Sequence, residues 1–157
     1  MKVQKSEIKR LDHLGLIMGV MKESSLKELL DEKLGKCGDE KISSGEAIEG
    51  MILNGLGFTS STLSLSPRFF ENRPLELLFR EGVQAEDFNH YKLGRVLQKC
   101  YDYGAENLFE EIALSICNQE KVDRRFNSLD TTSFSVYYKN QEDDAEVKIN
   151  LGHSNVH

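Results

Sequence analysis

Asp130 is the residue whose type and surroundings point most directly to chemistry. It stands between Leu129 and Thr131 in the run RFNSLDTTSFSVYY, residues 125–138, where strand propensity disfavours a carboxylate and packing gains nothing from one. A buried or half-buried acid needs a partner, a hydrogen-bond network or a metal ion. Metal binding is therefore one reading of Asp130, and a strand-end aspartate that caps a neighbouring amide or faces solvent is the other. One carboxylate does not make a two-metal centre, which gathers several acids from separate strands.

Other spacings are weaker. Glu142, Asp143, Asp144 and Glu146 form an acidic stretch that suits a solvated turn. His153 and His157 have the i, i+4 spacing of paired imidazole ligands, but no third ligand is in view. Lys92, Arg95 and Lys99 fall on one side of a helix, away from its apolar stripe. Such a face can rest along DNA phosphates, although Asp102 dilutes it and a solvated helix surface is the more ordinary explanation. Lys2, Lys5, Lys9 and Arg10 form a second basic group. The chain has no P-loop, dinucleotide glycine fingerprint, nucleophile elbow or zinc-finger spacing.

The elements that would position these residues are mostly helical up to about residue 120. Ser24 or Ser25 offers a cap for a helix through Leu26, Leu29, Leu30 and Leu34, which Gly35 ends. Ser43 and Glu46 have the form of a capping box, opening a helix whose apolar face is Ile48, Met51, Ile52 and Leu56. Residues 57–65 read as a connection. Pro67 and Pro74 each restart a short helix. Asn89 caps a longer helix with the stripe Leu93, Val96, Leu97, Cys100 and Tyr101. Gly104 closes it, and Leu108, Phe109, Ile112, Ala113, Ile116 and Cys117 carry the next stripe. Near residue 123 the pattern changes. The Asp130 run and the alternation Val147, Ile149, Leu151 read as two strands of a hairpin joined by NQEDDA. A lone hairpin is marginal in water, so these strands call for further sheet.

Composition sets the outer limits. The 157 residues are 39% hydrophobic and 29% charged with net charge -6, which suits a globular chain and not a wholly disordered one. An acidic balance argues against a surface coated overall in phosphate-binding charge. Three separated cysteines, Cys37, Cys100 and Cys117, suggest neither a disulfide framework nor a zinc ribbon. No apolar run approaches the roughly 20 residues of a membrane span, and the start MKVQKSEIKR has no secretory apolar core. A soluble cytoplasmic protein with no membrane partner is the expectation.

Whole phrases add a resemblance. LDHLGLIMGVMKE, EKISSGEAIEGMILNGLGF, LSLSPRFFENRPLELLF, GVQAEDFNHYKLGRVLQKCYDYGAENLF and FNSLDTTSFSVYY occur in this order from Leu11 onward. They resemble the N-terminal part of DDE transposases of bacterial and archaeal insertion sequences, in the branch where a helical domain precedes a ribonuclease H-like catalytic domain. The resemblance implies that Asp130 matches the first of three catalytic acids and would bind one or both divalent ions, Mg²⁺ in a full-length relative. The second Asp and final Glu of such enzymes lie much further along.

The expected fold is thus mainly α. A helical domain over 1–122 is followed over 123–157 by a short β-hairpin, the incomplete start of a ribonuclease H-like α/β domain. The resemblance implies an N-terminal transposase fragment, inactive alone and holding no metal of its own, that retains at most binding to transposon-end DNA or self-association. The alternative is a helical interaction or regulatory module that pairs with itself or with a full-length transposase. A third reading has the missing acids supplied by a downstream frame.

Overall fold

The computed structural model describes residues 9–35, 40–57 and 62–123. The chain divides into two units, Met1–Val122 and Asp123–His157. Among the described residues, all in the first unit except Asp123, every regular element is helical. The expected hairpin, with Asp130, His153 and His157, lies outside the described residues.

Seven α-helices follow one another: α1 Leu14–Glu23, α2 Leu26–Leu34, α3 Ser44–Leu56, α4 Ser66–Phe70, α5 Leu75–Leu78, α6 His90–Tyr103 and α7 Ala105–Gln119. Short 3-10 turns precede α4, at Leu63–Leu65, and α6, at Ala85–Phe88. Leu14, Met18 and Met21 bury one side of α1 at the i, i+4, i+7 spacing of a core-facing stripe. Pro67 sits in the first turn of α4 and Pro74 immediately precedes α5, where a missing amide hydrogen costs no helical bond. Asn89 caps α6 by accepting the Lys92 amide at 3.0 Å.

Helix α3 is the hub, touching α1, α2, α4 and α6. Two glycines allow these close approaches. A Cβ on Gly45 would come within 2.5 Å of the Lys27 carbonyl oxygen in α2, and one on Gly50 within 2.4 Å of the Phe88 ring. Phe88 in turn joins Phe70 at a centroid distance of 4.4 Å and Phe79 at 5.0 Å, a packed aromatic group that anchors the core.

Three expectations need correction. Neither Ser24 nor Ser25 caps α2 through its side chain: Ser25 adopts the left-handed conformation, and the Ser24 hydroxyl turns back to donate to the Met21 carbonyl at 3.0 Å. In α3 the side buried most deeply is not Ile48, Met51, Ile52 and Leu56. It includes Gly45, Glu46, Glu49, Gly50, Leu53 and Asn54, because a central helix is covered on several sides and the apolar stripe no longer identifies the inner one. The later stripes are only partly core. Leu93, Val96 and Leu108 are buried, whereas Leu97, Tyr101 and Phe109 are exposed; α7 packs mainly on α6 and α2, and each apolar stripe is wider than the face its neighbours bury.

Candidate functional site around helix α3

The first turn of α3 gathers an unusual number of polar side chains in the interior. A helix start leaves four amide donors without helical acceptors and carries partial positive charge. Ser43 and Glu46 satisfy two of them reciprocally: the Glu46 amide donates to Ser43 Oγ at 3.1 Å, and the Ser43 amide donates to Glu46 Oε2 at 2.8 Å. Asp31, reaching over from α2, accepts the Gly45 amide at 2.7 Å. Arg80 then grips Glu46 from the far side, with Nε at 2.7 Å from Oε1 and Nη2 at 3.2 Å from Oε2. The same Nη2 donates to the Lys41 carbonyl at 2.8 Å. Glu46, only 4% exposed, is therefore a buried carboxylate whose two oxygens are both matched, the geometry that makes burial of charge tolerable.

One turn further on, Glu49 has the opposite fate. It is 2% exposed, and among the described residues its Oε1 has no hydrogen-bond partner. It lines a cavity of about 300 Å³ together with Lys22, Lys27, Glu28, Phe79 and the Glu46–Arg80 pair. The cations there have partners already. Lys27 Nζ lies 2.9 Å from Glu28 and 3.8 Å from Asp31, and Lys22 Nζ donates to the Leu77 carbonyl at 3.2 Å. Burial pushes the Glu49 carboxyl up to about 7, the negative charge of Glu28 adds to the rise, and Lys27 opposes it. Such a carboxyl changes charge near neutral pH, which an exposed glutamate does not do.

The basic trio expected from the sequence lies on α6, but two of its members point inward. Lys92 is 5% exposed and its Nζ is ion-paired with Glu40. Lys99 Nζ donates to Ser44 Oγ at 3.2 Å and to the Gly35 carbonyl at 3.5 Å. Arg95 is exposed. For Glu40, burial raises the pKa, but the hydrogen bond from Lys92 and the charges of Lys92, Lys99 and Arg95 outweigh it and hold the carboxyl below its ordinary range. The trio thus surrounds a carboxylate of its own chain, and Arg95 is the member left exposed.

The sequence family described as "Domain of unknown function (DUF4277)" matches residues 6–114. The chain belongs to the DUF4277 family. No curated protein and no solved structure matches it. The DUF4277 segment includes Glu40, Glu46, Glu49, Arg80 and all three basic residues of α6, while Asp130 lies beyond it. Among the described residues of this DUF4277 chain, no group of three or more His, Cys, Asp or Glu side chains could hold a metal ion, and no helix is long and apolar enough to cross a membrane.

Sequence reasoning missed Glu40 and Glu49. Glu40 lies 52 positions from the lysine it pairs with, and no local pattern announces such a pairing. A signal for Glu49 was present in Gly45 and Gly50. Two small residues on a helix interior mark a side that neighbours approach closely, and Glu46 and Glu49 share that side.

Proposed function

We propose that this chain is the helical N-terminal part of a DDE transposase of prokaryotic insertion sequences, and that the helical unit contributes recognition of transposon-end DNA. The observation that carries this reading is the ordered series of phrases from Leu11 that ends in Leu129-Asp130-Thr131-Thr132-Ser133. The helical character of the DUF4277 segment and the division of the chain after Val122 are in keeping with it. Asp130 would be the first metal-binding acid of the set, and Mg²⁺ would there activate water or a 3′-hydroxyl for strand cleavage and joining. The other two acids lie further along in such enzymes, so these 157 residues alone are not expected to cut DNA.

The test is a titration of labelled terminal inverted-repeat duplex at low and moderate salt. The proposal expects tighter binding to the inverted repeat than to scrambled duplex, with a shallow salt dependence because Arg95 alone of the α6 trio is free to meet a phosphate. Equal affinity for both duplexes contradicts it.

A second reading, self-association or pairing with a full-length transposase, is favoured by the exposed apolar side chains of the last two helices. Tyr101 is 77% exposed and Phe109 75%, and aromatic residues of this kind are enriched at protein interfaces. Sedimentation separates the readings: a concentration-dependent dimer that Phe109→Ser returns to monomer supports pairing, and a clean monomer with no affinity for a full-length relative removes it.

A further inference from the structure

The cavity beside Glu49 has no role in the transposase reading and is independent of it. We propose that it is a binding site for an organic cation bearing N–H donors, a primary ammonium or guanidinium group, with Glu49 as its anionic partner.

The chemistry of the lining selects the sign and type of the occupant. Buried acceptors in folded proteins are almost always hydrogen-bonded, yet Glu49 Oε1 is not. The complement of an orphan carboxylate oxygen is a donor, best a charged one. The resident cations do not supply it, because Arg80 is engaged with Glu46 and the Lys41 carbonyl, Lys27 with Glu28 and Asp31, and Lys22 with the Leu77 carbonyl. None of the three comes within hydrogen-bond distance of Glu49 Oε1. With Glu49 ionised, the lining's three carboxylates, Glu28, Glu46 and Glu49, balance its three cations, Lys22, Lys27 and Arg80, so it is the unmatched Glu49 oxygen, and not an excess of negative charge, that calls for a cation.

Size and shape narrow the class. A cavity of about 300 Å³ is at the small end of ligand sites, room for a lysine- or arginine-sized group and not for a nucleotide. Half-buried Phe79 lines it as well, and an aromatic ring favours an organic cation. Among the described residues the carboxylates do not form a three-ligand cluster, which points away from a bare metal ion. Binding below neutral pH displaces the Glu49 proton to solvent, so affinity falls as the solution becomes more acidic.

The experiment follows backbone amide resonances of the full chain during titration at pH 8 with methylguanidinium chloride and, separately, n-butylammonium chloride. Tetramethylammonium chloride, which has no N–H donor, and sodium phosphate are the controls. The expected result is saturable shifts centred on residues 46–50, 79 and 80, weakened by about tenfold between pH 8 and pH 6 as Glu49 takes up its proton. Glu49→Gln should lose the effect while its remaining resonances stay folded, and Phe79→Leu should weaken it. A capped Gly-Arg-Gly peptide distinguishes the sources of the cation: tighter binding than methylguanidinium assigns the site to a basic side chain of a partner, and weaker binding assigns it to a free small molecule. Equal shifts with tetramethylammonium, preferential binding of phosphate, retention in Glu49→Gln, or no saturable shift with either N–H cation would each overturn the proposal.

Discussion

Glu46 and Glu49 lie one turn apart on the same helix and are both almost wholly removed from solvent. Glu46 closes a capping box and is held by Arg80. Glu49 has an oxygen that meets no donor among the described residues. The helix, the burial and the side chain are the same in kind, so the difference isolates what a partner does. A matched carboxylate ties α3 to Arg80, after α5, and becomes part of the fold. An unmatched one keeps its proton more tightly, changes charge near neutrality and is available to something else.

The comparison can be broken most forcefully at its matched end. Glu46→Ala removes the capping box and leaves Arg80 without its carboxylate, and is expected to destabilise the chain by about 3 kcal/mol in urea denaturation. A loss below roughly 1 kcal/mol would mean that the matched pair contributes little.

At the unmatched end the sign reverses. The Glu49 carboxyl holds its proton up to about 7 in the folded chain against an ordinary value of 4.5, so the folded state binds more protons than the unfolded state between those limits. Stability is thus unaffected by this group below pH 4.5, falls as pH rises from 4.5 to 7, and stays reduced above 7. Glu49→Gln removes the penalty. It should stabilise the chain by about 3 kcal/mol at pH 8 and by less than about 0.5 kcal/mol at pH 4.5, measured as the difference in unfolding free energy at the two pH values.

Part of this arrangement is legible in the sequence because its causes are local. The Ser43–Glu46 box, the Asn89 cap and the prolines at the starts of α4 and α5 each involve residues within one helical turn, and each stands in the structure as read. Where the cause is tertiary, the local pattern misleads. The stripe from Ile48 to Leu56 predicts an inner side for α3, but a helix packed by neighbours on several sides buries its glycines and glutamates too. Lys92, Arg95 and Lys99 do share one side of α6, yet whether that side meets water or Glu40 depends on a residue far away in the chain. Ser25 could not cap α2 because the turn from α1 is so short that its backbone is already left-handed. Asp130 rests on resemblance alone, outside the described residues.

What the two glutamates teach rests on the proton affinity of one group, and that can be read directly. Labelling the glutamate side-chain carboxyl carbons with ¹³C and following Glu49, assigned through its loss in Glu49→Gln, from pH 3 to pH 9 gives its titration curve without perturbing the cavity. A midpoint near 7 is the predicted result, and a midpoint at or below the ordinary 4.5 would contradict the account.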